Sequence, residues 1–304
     1  MDALKRARGK DARAWVIGKR THGVTGEPAM RVSRDNRTIF TPPRPGHIGM
    51  LGWMFCLTLL ASIASTGCVT PEEQKQQKLE EIQNAEYYYK LGAGYFEAHE
   101  VPLAIRHLTI ALDKDPKHIH ANYLLGYIYM GRRNYTGAIK HFKAVLAEDP
   151  EFFDARNALG ATYLAMERWR DAIELFEGLL EEPLYTSPEL AHNNLGWAYY
   201  NLRRYNDAIN HFKMSVFLRP QFCLGYNNLG LALDATHNRS EAVKNYRRAI
   251  ELCPESYAEP HFNLGKIYQS EGDLPLARSH FQRCSALSPE SQLGDRCREY
   301  LRTY

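Results

Sequence analysis

His192-Asn-Asn-Leu-Gly-Trp-Ala-Tyr-Tyr-Asn-Leu-Arg-Arg-Tyr-Asn-Asp-Ala-Ile-Asn-His-Phe-Lys-Met-Ser-Val-Phe-Leu-Arg-Pro220 is the stretch on which most of the chain can be laid. Its fixed points are Leu195-Gly196, Tyr199 three residues after the glycine, Ala208 twelve after it, Phe212 four further on, and Pro220 at the close. The Leu-Gly pair recurs at Leu91-Gly92, Leu125-Gly126, Leu159-Gly160, Leu195-Gly196, Leu229-Gly230 and Leu264-Gly265, at spacings of 34, 34, 36, 34 and 35 residues. The tyrosine position reads Tyr95, Tyr129, Tyr163, Tyr199, Leu233, Tyr268, and the alanine position Ala104, Ala138, Ala172, Ala208, Ala242, Ala277. Leu108, Phe142, Phe176, Phe212, Tyr246 and Phe281 fill the next, and proline closes five units at Pro116, Pro150, Pro220, Pro254 and Pro289. A period of this length means a linear array in which each unit buries its apolar face on its neighbours.

The residue types say what the unit is. Glycine in one helix and alanine in the next let two helices lie close. Pro102 and Pro275 suit the first turn of a second helix, where the missing N–H would be unpaired anyway. Asp115-Pro116 and Asp149-Pro150 end a unit, because the residue before proline is pushed out of helical backbone. The pattern resembles the tetratricopeptide repeat (TPR), a helix pair of 34 residues. The resemblance implies an all-α fold, a right-handed superhelical solenoid of six TPR pairs at 85–118, 119–152, 153–188, 189–222, 223–257 and 258–290. Leu293, Cys297, Tyr300 and Leu301 at helical spacing predict a capping helix within 291–304. The third unit carries two extra residues before Glu189. Lengthening a loop costs little entropy; a contact loop is the alternative.

The N-terminal quarter is different. Eleven Lys and Arg crowd the first 45 residues, and a run without Asp, Glu, Lys or Arg follows from Pro45 to Pro71. A basic segment, a short apolar core and small residues read as a secretion signal. It ends in Ser65-Thr-Gly-Cys68, which resembles a lipobox with Ser65 where leucine is usual; Cys68 is then the lipidated first residue of the mature protein. An uncleaved membrane anchor is the alternative, which needs roughly 20 apolar residues. Translation from Met30 or Met50 would shorten the head. Residues 1–67 are thus read as head and signal, and the Glu-, Gln- and Lys-rich residues 68–84 as a polar tether or a poorly packed first helix. Val69 after the cysteine, in place of aspartate, implies by resemblance sorting to the outer membrane, with the repeats facing the periplasm.

Outside the cytoplasm, disulfides form. Cys223, Cys253, Cys284 and Cys297 allow three pairings. Residues equidistant from a helix–helix turn stand at one height, which favours Cys223–Cys253 about residue 238 and Cys284–Cys297 about the turn at Pro289; free buried thiols are the alternative.

A formal charge of +3 on 304 residues gives no sign of nucleic-acid binding. No phosphate loop, Gly-x-Ser-x-Gly or His-Glu-x-x-His occurs, and the twelve histidines show no recurring ligand spacing. The expectation is therefore a binding protein without catalytic residues, metal or cofactor. A solenoid of this kind binds on the concave face of its first helices. The register puts Tyr89, Tyr123, Tyr127, Asn157, Asn193, Trp197, Tyr200, Asn227 and Leu231 there. Asparagine recurs at one position in three consecutive units, where a carboxamide can serve the backbone of a bound peptide; satisfying neighbouring helices is the alternative.

A lipobox followed by six such repeats, with Asn-Asn-Leu-Gly at 193–196 and 227–230, resembles the PilF/PilW/Tgl family of type IV pilus lipoproteins, and in layout its myxobacterial member. The resemblance implies a pilotin that binds a PilQ-like secretin and promotes its insertion and assembly in the outer membrane. A general cell-envelope scaffold is the second expectation.

Overall fold

The computed structural model describes residues 70–303, with the backbone alone for residues 81 and 82. Among these residues there are thirteen helices and no strand. They are α1 (Pro71–Glu97), α2 (Val101–Lys114), α3 (Ile119–Gly131), α4 (Tyr135–Glu148), α5 (Phe153–Ala165), α6 (Trp169–Leu180) and α7 (Pro188–Asn201). Then come α8 (Tyr205–Leu218), α9 (Cys223–Ala235), α10 (Arg239–Leu252), α11 (Glu259–Glu271), α12 (Leu274–Leu287) and α13 (Gln292–Leu301). Two compact units divide the chain, with described parts 70–80 and 81–303.

In the first unit, Thr70 starts α1 with a capping box. Its Oγ1 accepts from the Glu73 N–H at 3.2 Å, and the Glu73 carboxylate accepts from the Thr70 N–H at 2.8 Å. Residues 71–84, read as a polar tether or a poorly packed first helix, are helical, and 71–80 are exposed throughout. Cys68 and the signal segment lie outside the described residues.

In the second unit the helices follow as antiparallel hairpins, each packed on its sequence neighbours, with the first helices α3, α5, α7, α9 and α11 touching in succession. The repeat glycine stands where the second helix passes. A Cβ on Gly126 would lie 2.7 Å from the Phe142 ring and one on Gly196 2.7 Å from Phe212; Leu108, Phe176, Tyr246 and Phe281 occupy the same place in the other hairpins. Those side chains are almost wholly buried. Truncating one such phenylalanine to alanine costs about 3–5 kcal/mol.

Each hairpin turns through one residue in left-handed backbone: His99, Arg133, Glu167, Arg203, His237 and Gly272, with φ between 59° and 81°. The next N–H reaches back to the carbonyl three after the repeat glycine, as in Arg204 to Tyr199 at 2.9 Å and Asp273 to Tyr268 at 2.9 Å. This closes the helix end. The periodicity of these turns was not read from the sequence, because glycine marks only the last. Asp115 and Asp149 leave helical backbone at φ −137° and −135°, where the Asp-Pro pairs place the stop.

The inserted residues form the α6–α7 loop, which buries Tyr185 against Phe153, their rings 5.9 Å apart, and leaves Leu184 exposed. After α12, Ser291 caps α13 by accepting from the Gly294 N–H at 3.1 Å. A Cβ on Gly294 would collide with the Ser288 carbonyl, so α13 sits directly on its preceding turn. Disulfides join Cys223 to Cys253 (Cα–Cα 6.1 Å) and Cys284 to Cys297 (6.2 Å), each at the height the hairpin register gives them.

Candidate functional site

Residues three or four apart on a helix share one face, so the predicted stripe runs along one side of each first helix. Its asparagines do not present their amides outward. Asn157, Asn193 and Asn227 are 4%, 1% and 3% exposed. Their Oδ1 atoms accept from Nδ2 of Asn194 (3.3 Å), Asn228 (2.9 Å) and Asn263 (3.1 Å), each in the following repeat. The expectation that they serve a bound peptide is corrected: they form a carboxamide ladder in the seam between first helices. An unpaired amide in that seam would cost about 1–3 kcal/mol. The doublets Asn193-Asn194 and Asn227-Asn228 carried this signal, since each sets an acceptor and a donor one repeat apart.

The aromatic members do form a surface. Tyr89 is half-buried with its ring 5.1 Å from His118, and Phe96 meets Tyr127 edge-on at 5.9 Å. Tyr123 lies deeper, 5.1 Å from Phe152 and 6.0 Å from Phe142. Trp197 stacks on Tyr200 at 5.5 Å, Tyr200 leans on Tyr205 at 5.5 Å, and Leu231 packs partly buried against the core. Burial raises the pKa of Tyr89, Tyr123 and Tyr200. Carboxylates add to it: Glu86 and Glu97 at Tyr89, Asp154 at Tyr123, and, after Tyr205, Asp234 at Tyr200. The phenols therefore stay neutral, as hydrogen-bonding and stacking groups.

The histidines also need correction, for a 19-residue spacing does recur. His192 faces His211 and His261 faces His280, Nδ1 to Nδ1 at 3.0 Å, and His141 meets Asn122 Oδ1 at 2.8 Å across the same interval. Each pair ties the first helix of a hairpin to the second. Tyr199 stacks on His211 at 5.3 Å and Tyr268 on His280 at 5.5 Å. Burial, then the facing imidazole, pushes His192 and His261 down to about 4, so one neutral ring donates to the other. Among the described residues no three potential metal ligands cluster.

A separate cleft of about 630 Å³ is lined by Arg170, Glu174, Glu177, Leu202 and Arg204. Tyr199 donates to Glu177 beside it at 2.8 Å.

Models described as tetratricopeptide repeat match residues 89–151, 129–183, 190–222 and 223–256, and one described as TPR repeat matches 240–290. Over 97 residues, 32% of this chain, it is 28% identical to the Hsp70-Hsp90 organizing protein of Triticum aestivum; that stretch is 16% of the relative, so the chain spans a small part of its length. The structure of PilW, titled a widely conserved type IV pilus biogenesis factor, superposes with a TM-score of 0.62 at 20% identity, over 69% of this chain and 96% of that one. PilF of Pseudomonas aeruginosa does so with a TM-score of 0.59 at 18% identity, over 73% and 99%. At such identities the likeness is one of fold. Repeat models, helix packing and signature residues agree on it: this is a tetratricopeptide-repeat protein.

Proposed function

We propose that the chain is a pilotin: an outer-membrane lipoprotein, anchored through Cys68 with its repeats in the periplasm, that binds a PilQ-like type IV pilus secretin and promotes its insertion and multimer assembly. The observation that carries the reading is coverage. Nearly the whole length of two pilus-biogenesis proteins, 96% and 99%, superposes on this solenoid. The Ser65-Thr-Gly-Cys68 sequence ahead of it is where a lipoprotein would carry its anchor. The aromatic stripe from Tyr89 to Tyr200 supplies the contact surface, because large rings add area at low entropic cost. The chain acts by holding the secretin subunit near the bilayer while subunits meet.

Heat-resistant secretin multimers, blotted from a deletion strain complemented with variants, test this. Trp197→Ala with Tyr200→Ala should abolish the multimers while the purified variant keeps its helical circular dichroism. Cys68→Ser should leave the protein out of the outer-membrane fraction and lower multimer yield. Normal multimers without the protein would favour a general envelope scaffold instead.

A further inference from the structure

The repeat register allows a charge census of the groove. The stripe comprises the residues six and three before, and one and four after, each repeat glycine. On it, Glu86, Asp154, Asp234 and Glu259 are carboxylates, and Lys266 carries the one formal positive charge. The carboxylates share helix faces with the groove's own residues: Asp154 is one turn before Asn157, and Asp234 one turn after Leu231. Glu86 is engaged by Lys90 at 3.3 Å and His118 at 3.1 Å, and Asp234 by a long contact to Arg239 at 3.9 Å. Carboxylates act on the groove tyrosines: Glu86 and Glu97 on Tyr89, Asp154 on Tyr123 and, after Tyr205, Asp234 on Tyr200.

At its C-terminal end the groove already holds cations. Arg296 of α13 lies 4.4 Å above the Phe262 ring, and Lys266 lies 5.9 Å from it. Phe262 occupies the stripe position of Tyr89 and Tyr123. The molecule thus shows within itself how a guanidinium is received on an aromatic of this stripe.

We propose that the groove takes an extended, positively charged segment of its partner, whose arginine or lysine side chains lie on Tyr89, Tyr127, Trp197 and Tyr200 and reach Asp154 and Asp234. This rests on the groove being the binding surface and adds the chemistry of what it binds. Rings and carboxylates together discriminate: a neutral segment would gain the stacking alone, and an acidic one would be repelled.

The test uses the full chain and two synthetic peptides, arginine alternating with leucine and its uncharged citrulline counterpart, in titration calorimetry. The arginine peptide should bind about tenfold more tightly or better. That preference should shrink between about 0.05 and about 0.5 M salt and vanish in Asp154→Asn/Asp234→Asn. Both replaced side chains are solvent-accessible, so the variant should melt like the parent. Equal affinities for the two peptides, or a preference that survives in the double variant, overturns the proposal. If Trp197→Ala/Tyr200→Ala abolishes secretin multimers while the peptides bind alike, the groove stands and the charge proposal alone falls. If those variants leave multimers intact, the groove reading itself fails.

Discussion

The first two hairpins and the last three solve one packing problem by different means. At the position three before the repeat glycine, the early hairpins place Tyr89 and Tyr123. Tyr89 meets His118 and His120 of the next hairpin, ring to ring at 5.1 and 5.7 Å, and Tyr123 meets Phe152 at 5.1 Å. Of the late hairpins, the fourth and fifth place Asn193 and Asn227 there and join successive first helices by directed amide bonds, from Asn228 and Asn263, while the last returns to an aromatic, Phe262. The late hairpins also carry both disulfides and both imidazole pairs. Ring contacts tolerate sliding; hydrogen bonds and covalent bridges do not. The cores differ accordingly: Ala104, Leu108, Ala111, Ala121, Leu125 and Ile128 make a small cluster of their own, whereas the hydrophobic core from Ala138 to Cys297 is continuous. The lesson is that a uniform backbone repeat can be stiff at one end and adaptable at the other.

Removing the bridges should break that contrast most strongly. Serine at Cys223 and Cys253, or at Cys284 and Cys297, should lower stability by about 2–4 kcal/mol per bridge. Amide exchange should accelerate in α9–α13 and stay unchanged in α2–α4; equal acceleration throughout would mean the two ends are not independent. Next comes the ladder. Asn193→Ala leaves the Asn228 Nδ2 without its acceptor and should cost about 1–3 kcal/mol, and a double-mutant cycle with Asn228→Ala should show coupling above about 0.5 kcal/mol. Additive losses would deny that the amides act on each other.

Acid provides a milder probe. His192 and His261 sit near 4 in the fold, below the ordinary imidazole value of 6.5. The unfolded chain therefore takes up protons first, so stability is fully kept above pH 6.5, falls toward pH 4, and levels off below. The melting temperature should trace that window, and His192→Gln/His261→Gln should flatten it. The smallest effect is at the turns. Glycine at Arg133 or Arg203, both held at positive φ, should raise stability by about 0.5 kcal/mol after the unfolded glycine's extra freedom is subtracted, read from a higher denaturation midpoint.

The helical hairpins were legible because Gly196, Ala208 and Phe212 are fixed by close approach, and close approach tolerates few residue types. The α13 helix was legible from Leu293 and Cys297. The groove was half legible. The register puts its aromatics along one face, but it leaves Asn157, Asn193 and Asn227 open between a bound peptide and neighbouring helices, since a register places a residue on a face without saying how deep it lies. Depth depended on Asn194, Asn228 and Asn263, one position over and one repeat on. The imidazole pairs were missed because a 19-residue interval joins two helices, and ligand spacings are sought within one. Residues 71–84 lack apolar periodicity, which leaves tether and poorly packed first helix both open in the sequence; the Thr70–Glu73 capping box starts the helix at Pro71.

The seat of α13 has one more consequence. Solenoids of stacked hairpins carry an inherent hazard: the last hairpin offers the surface on which the first of another copy could stack, and such a head-to-tail contact never closes. Here Tyr300 lies against Phe281 at 4.7 Å, and a disulfide from Cys297 to Cys284 locks the helix over that end. The bridge that stiffens the molecule is also a chain terminator, opposing filaments built from its own copies.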